Sequence, residues 1–258
     1  MCIRDSAEIG RLRELSFRLV GEGTGRASDL DGFDAAYEHL FVWHREKREV
    51  IGAYRIGFTD ALCAAGTVDR LYTNTLFDFD ARLLQRIGPA LELGRSFVRP
   101  EWQRNFRSLR LLWSGIAAIL DAHPDIQCLF GPVSISASYS AAGRRLMEAA
   151  LSRHHSDPAL TELVRPRTPS RKRGESGSMR PVVAALGDPS LLSRVIGRLD
   201  PGQGGLPVLV RHYLDLKGRF AGFNVDAKFG DTLDGLVFIQ VSDIPPRVRA
   251  KFGTNRAG

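Results

Sequence analysis

Long apolar runs are missing from this chain. Nowhere in its 258 residues do about 18 consecutive apolar side chains occur, so no membrane-spanning helix is expected. The N-terminus carries no apolar core of the kind a secretory signal needs. Cysteine is scarce. Cys2, Cys63 and Cys128 have neither metal-ligand spacing nor the count of a disulfide framework, which points to a reducing, cytoplasmic setting and no metal site. No Gly-x-Ser-x-Gly elbow, phosphate-binding Walker loop, zinc spacing or dinucleotide fingerprint is present, so the chemistries that need those loops are excluded. Gly21-x-Gly23-x-Gly25 resembles a phosphate loop only superficially and reads as a plain turn. No internal repeat is visible.

What remains is an ordinary globular composition, 43% hydrophobic and 25% charged, with one sign of charge in excess. The net charge of +7 suits acidic partners: nucleic acid, anionic lipid headgroups or an acidic carrier protein. It equally suits a solvated basic surface, because part of the excess sits in Arg165–Arg173. Met1–Ser6 reads as part of a non-native leader over residues 1–7, and the chain as a C-terminal fragment of a longer protein.

Apolar spacing predicts a helix over 8–20 through Ile9, Leu12, Leu15 and Leu19. Strands are predicted at Phe41–Trp43, Val50–Ile56, 91–98, Cys128–Ile135 and Leu233–Val241, and helices at 80–88, 104–121, from the end of the fourth strand to Leu151, 188–199 and 207–218. Residues 152–187 change character and read as a flexible insert, with His154 and His155 exposed. The order predicts an α/β fold with one mixed central sheet, in a single domain over 8–250.

One strand is anomalous. Glu92-Leu93-Gly94-Arg95-Ser96-Phe97-Val98 places an acid and a base three residues apart, on opposite faces if the strand is regular. Gly94 permits a bulge that would re-aim the side chains after it. Buried charge costs stability unless something uses it. Arg55 is likewise charged within an apolar strand, and Asp31 and Asp34 lie in a turn that must pack nearby. Together they read as one polar pocket. Other candidates are weaker: His39 and His44 have no ligand spacing, Tyr139 reads as a partly buried aromatic, and Cys128 as inert.

These residues carry a resemblance. Arg13 with Phe17, Asp31 with Asp34, Gly52-Ala53-Tyr54-Arg55, Glu92-Leu93-Gly94-Arg95-Ser96, Leu129–Ser136 and Gly222–Asp226 are similar to the Gcn5-related N-acyltransferase (GNAT) superfamily. The likeness is to its putative-hemolysin branch with the ornithine-lipid synthases, and more distantly to acyl-homoserine-lactone synthases. It runs from about residue 8 to about 250. The resemblance implies a mostly antiparallel sheet with a splayed central strand, flanked by helices. It also implies transfer of a fatty acyl group from an acyl-carrier-protein or coenzyme A thioester to an amine, with no tightly bound cofactor. The superfamily's pyrophosphate loop is absent between Val98 and Leu112, so Arg104 and Arg107 are expected to meet the donor's phosphate or an acidic carrier.

On that resemblance Glu92 is the expected general base, directly or through a water, with Arg95 and Arg55 orienting it or binding an acceptor carboxylate. Asp31 and Asp34 are expected to bind the acceptor ammonium or to order the lid-like N-terminal segment. Amides at Ser96, Phe97 and Val98 are expected to hold the thioester oxygen, with Phe97 and Trp113 along the acyl chain. Partners are then an acyl carrier protein, an amine acceptor and the inner face of an anionic membrane, and not nucleic acid. Two rival readings remain: a non-catalytic membrane-binding or interaction module, and a synthase of an acyl-homoserine-lactone-type signal.

Overall fold

The computed structural model describes residues 3–64, 66–103, 106–170 and 179–252. Three helices frame the site: α1 (Ile3–Arg18), α2 (Phe106–Ala122) and α3 (Ala141–His154). The strands are β1 (Glu38–His44), β2 (Glu49–Phe58), β3 (Phe77–Phe79), β4 (Ala90–Val98), β5 (Cys128–Ile135), β6 (Val164–Pro166), β7 (Arg219–Asp226) and β8 (Thr232–Gln240). Six of them form a sheet in the order β1-β2-β4-β5-β8-β7, and β3 pairs with β6. In the large sheet β4 and β5 run parallel and the other four pairings are antiparallel. The fold is therefore the expected mixed, mainly antiparallel sheet with helices, and β4 lies inside it.

Alternation along β4 builds both layers. Leu91 and Leu93 join the large core beneath α2 and α3, with Tyr54, Trp113, Ile116 and Met147. Ala90 faces the other side, in a second core with Tyr37, Leu71, Phe77, Phe130 and Phe238. Regular alternation would put Phe97 with Leu91 and Leu93. It instead joins Ile9, Leu12, Val50 and Ala53 under α1. The register explains this: Ala53 pairs with Phe97 and Arg55 with Gly94, so Arg95 and Ser96 together face Tyr54. That is a bulge of one extra residue in β4, and it exchanges the faces of everything after it. Arg95, not Gly94, carries the positive φ, at 48°.

The splay comes from β5. β4 and β5 pair only over Ala90–Glu92 with Cys128–Phe130, although both strands continue. Pro132, two residues past the last pair, has no N–H to offer a ladder. The strands approach closely just before they part: a Cβ at Gly131 would lie 1.9 Å from the Leu93 carbonyl oxygen.

Three points differ from the expectations or go beyond them. First, the helix forms as expected but ends at Arg18, and it leaves Leu15 45% exposed while Leu19, just past its end, is 70% exposed. Its inward face is Ile9, Leu12, Arg13 and Ser16, so ion pairs replace apolar contacts there. Second, the described parts of 152–187 are packed rather than a flexible excursion. Leu160, Leu163, Val164 and Val183 are buried, and β6 pairs with β3. His154 is half-buried, its Nε2 2.8 Å from the Val183 carbonyl. The basic composition misled because the few apolar residues of this stretch are the ones that turn inward. Residues 171–178 lie outside the described residues. Third, β7 and the β3–β6 pair were not anticipated. Among the described residues no helix is long and apolar enough to cross a membrane.

Gly131→Ala forces the strands apart where they should touch. It is expected to cost about 1–3 kcal/mol, seen as a lower urea midpoint; an unchanged midpoint would contradict the close approach.

Candidate active site

The bulge turns Arg95 onto the face of Arg55, where six charges interlock. Asp31 caps the short turn Gly32–Ala35, accepting from Phe33 N at 2.9 Å, while Asp34 Oδ2 accepts from Asp31 N at 2.8 Å. Arg13 reaches from α1 to both Asp34 oxygens, at 3.0 and 2.9 Å, and its Nε lies 3.0 Å from Asp29 Oδ2. Arg55 Nη1 meets Asp31 at 2.7 Å and Asp34 at 3.5 Å. Arg95 lies 3.3 Å from Asp29 and 3.8 Å from Asp31. Aromatic faces close the gaps between the cations. The Arg55 guanidinium carbon is 4.8 Å from the Tyr72 ring centre, and that of Arg95 is 5.1 Å from Tyr72 and 4.8 Å from Phe229.

Burial raises the Asp34 carboxyl, but Arg13, the Asp31 amide and Arg55 outweigh it and hold the group below the ordinary aspartate range. His39, with Nε2 3.2 Å from Asp34 Oδ1, is pushed down by burial against the pull of Asp34. His39 is thus a structural neighbour of the network.

Glu92 shares the Arg55 face but is sealed. It is 1% exposed. Its Oε2 accepts from the Tyr37 hydroxyl and from Tyr72 N at 3.2 Å, and its Oε1 from Thr73 N at 2.6 Å. Burial pushes its carboxyl up, opposed by Tyr37, Thr73 and Arg55. The carboxylate thus clamps the Tyr72–Thr75 turn over the sheet.

The opening between β4 and β5 is a cavity of about 120 Å³. Arg95 and Ser96 line it from β4, and Pro132, Val133 and Ser134 from β5. Glu22, Tyr72 and Asp234 complete its polar wall, and Phe17, Leu76, Leu209 and Phe229 its apolar one. Val98, further along β4, is not among the residues that line the cavity. Arg99 N donates to Ile51 O at 2.8 Å, so alternation turns the Val98 N–H to the opposite edge of β4, the one β5 has left. Arg95 Nε has no hydrogen-bond partner among the described residues.

Of the residues picked from sequence, Arg95 and Ser96 line this cavity. Arg55, Asp31 and Asp34 stand behind it, their facing atoms engaged with one another, so the two aspartates are not placed to receive an ammonium. Glu92 does not reach the cavity wall, which removes the geometry of a direct general base. Phe97 packs beneath α1 and Trp113 in the core under the other face, so neither side chain borders the opening. Arg107 is exposed near the start of α2. Arg104 lies outside the described residues. Tyr139 donates to Gly205 O at 2.8 Å and is structural. Among the described residues no group of His, Cys, Asp and Glu is placed to hold a metal ion.

Sequence reasoning missed Glu22, Tyr37, Tyr72 and Asp234. Asp234 was findable: like Arg55, it is a charge inside an apolar strand.

Asp34→Asn breaks a buried network without removing its cations. A loss of about 3 kcal/mol or more is expected. Because the Asp34 pKa is depressed, its contribution is present above the unfolded aspartate pKa of about 4 and fades as pH falls. The wild-type and variant urea midpoints should therefore differ widely at neutral pH and converge in acid. Equal midpoints at neutral pH would contradict the network's role.

Comparison with known proteins gives a consistent picture. The sequence profile described as an acetyltransferase (GNAT) domain matches residues 12–114, a span that holds all six charges of the network. A glycine N(alpha)-acyltransferase of Bacteroides thetaiotaomicron is 32% identical over 254 residues, covering 92% of this chain and 74% of that protein. A second, from Phocaeicola vulgatus, is 30% identical, covering 92% of this chain and 76% of its own length. An L-ornithine N(alpha)-acyltransferase of Brucella abortus is 27% identical, covering 96% and 85%. No solved structure matches.

Proposed function

The chain belongs to the GNAT acyltransferases, in the branch of the ornithine-lipid synthases, and on that footing we propose that it acylates the α-amine of an amino acid. The donor is a long-chain acyl thioester, carried by acyl carrier protein or coenzyme A. The observation that carries this reading is the opening between β4 and β5, with a guanidinium and carboxyl groups around one small cavity. An amino acid is a zwitterion of matching size and charge. Arg95, with its unpartnered Nε, takes the acceptor carboxylate; a planar fork suits that group. The Val98 N–H, freed on the β5 side, donates to the thioester carbonyl as its oxygen gains charge. Arg55, Asp31, Asp34 and Glu92 act as positioning residues that hold Arg95 and the Tyr72–Thr75 turn.

The two relatives named as glycine N(alpha)-acyltransferases and the small cavity support a small acceptor such as glycine. The thioester's phosphopantetheine arm enters by the start of α2, where Arg107 meets its phosphate or an acidic carrier. A net charge of +7 supports an acidic carrier and contact with an anionic membrane face.

The test is direct. Purified protein is incubated with a palmitoyl thioester of acyl carrier protein or of coenzyme A and, separately, glycine, serine or ornithine. Mass spectrometry should find an N-acyl amino acid, with one thiol released per amide. Thiol release without amide, or an acyl-lactone product, would contradict the reading. Arg95→Met should raise the KM for the amino acid about 10–100-fold, as expected for losing a charged hydrogen bond, and leave the KM for the thioester nearly unchanged.

A further inference from the structure

Two carboxyl groups line the cavity with Arg95. Glu22 follows α1 in the Gly21–Gly25 loop, and Asp234 lies on β8. The loop is a built structure rather than a slack turn. The Glu14 carboxylate accepts from Thr24 N at 2.9 Å, Thr24 Oγ1 at 2.7 Å and Gly25 N at 2.9 Å. Arg18 adds a contact at 2.7 Å, and Glu22 N donates to Phe17 O at 2.8 Å. From the other side the turn between β7 and β8 presses on it. Gly230 has φ 71°, and a Cβ there would stand 2.1 Å from Gly21 O.

All this fixes Glu22, yet its carboxyl has no hydrogen bond or ion pair among the described residues. It is 8% exposed, and it lines the cavity. Asp234, 3% exposed, accepts from Ser134 Oγ at 2.7 Å and Thr232 Oγ1 at 3.4 Å. A carboxyl with so little access to water and no protein donor is costly when ionised. Retaining one at the wall of the cavity points to use there.

We propose that Glu22, coupled to Asp234 across the cavity, is the general base that takes the proton of the acceptor's ammonium, directly or through one water. This rests on the reading of the chain as an acyltransferase. The ammonium gives one proton to Glu22. Its nitrogen pair then forms the C–N bond, and the carbonyl π pair moves onto oxygen toward the Val98 N–H. Collapse breaks the C–S bond. The nitrogen's surplus proton ends on the departing sulfur, and the proton on Glu22 passes to solvent. Glu92, enclosed by Tyr37 and the Tyr72 and Thr73 amides, need not move.

Electrostatics fits the role. Burial first, then the charge of Asp234, pushes the Glu22 carboxyl up to about 7. Burial lifts Asp234 to about 6, with the Ser134 hydroxyl and Arg95 pulling it back and Asp226 pushing it further. Tyr72, against Arg95, is held protonated by burial, its hydroxyl pushed up to about 12. A base titrating near the working pH transfers protons most effectively.

The experiment measures amide formation against pH for wild type, Glu22→Gln, Glu22→Asp and Asp234→Asn, with thermal midpoints at pH 5 and pH 8. Wild type should show an acid limb near pH 7. Glu22→Gln should lose about 10²–10³-fold in kcat, with the donor KM kept, and Glu22→Asp should recover part of the loss. Asp234→Asn removes the charge that raises Glu22, so the acid limb should move to lower pH; a merely structural role would leave it in place. Both acids have raised folded pKa values, so their ionisation destabilises the fold as pH rises. Glu22→Gln and Asp234→Asn should therefore gain thermal stability at pH 8 relative to pH 5. Amide formation by wild type with Glu22→Gln equally fast, or an acid limb unmoved in Asp234→Asn, overturns the assignment alone. A wild type that forms no amide overturns the transferase reading and this assignment with it.

Discussion

The extra residue in β4 is the constraint on which the site depends. Arg95 and Ser96 together face Tyr54, and the strand absorbs the mismatch by holding Arg95 at a φ of 48°. An arginine in that region costs of order 1–3 kcal/mol. The one insertion has two effects. Phe97 changes face and becomes the apolar seat of α1. Arg95 turns toward Asp29, Asp31 and the cavity, where a regular strand would have buried it beside Tyr54. β5 supplies the other half by ceasing to pair after Phe130, so that the same few residues that bulge also border an opening.

The ion-pair network makes that arrangement rigid at a cost. Buried charge pairs seldom stabilise a fold more than apolar side chains of the same volume would. Here they tie three separate pieces to one point: α1 through Arg13, the Asp29–Asp34 turn, and the two strands through Arg55 and Arg95. Glu92 extends the same logic to the Tyr72–Thr75 turn. A carboxylate with three donors and 1% exposure is a clamp. The chain thus separates positioning from proton transfer, with Glu92 holding the Tyr72–Thr75 turn and Glu22 and Asp234 on the cavity wall.

Much of this was legible in the sequence, for identifiable reasons. Cys128–Ile135 was predicted to the residue because a buried strand bounded by polar residues has few alternatives. The bulge was legible from Glu92 and Arg95 standing three apart around a glycine, although Arg95 rather than Gly94 takes the left-handed backbone. β7 was not, because Arg219–Asp226 includes a glycine and an asparagine that weaken its alternation. Helical spacing alone does not tell the exposed Leu15 and Leu19 from the buried Ile9 and Leu12, and Arg13 is buried by virtue of Asp29 and Asp34, 16 and 21 residues along the chain. The same long-range dependence hid Glu22: its meaning comes from the turn at Gly230, more than two hundred residues away.

Acyl transfer in the opening between β4 and β5 can be seen in a crystal structure with a non-reactive thioether analogue of the acyl donor and glycine. The donor's carbonyl-equivalent carbon is expected between Ser96 and Pro132, the glycine carboxylate on Arg95 and its nitrogen toward Glu22. An acyl group bound elsewhere, with the opening between the strands left empty, would contradict it.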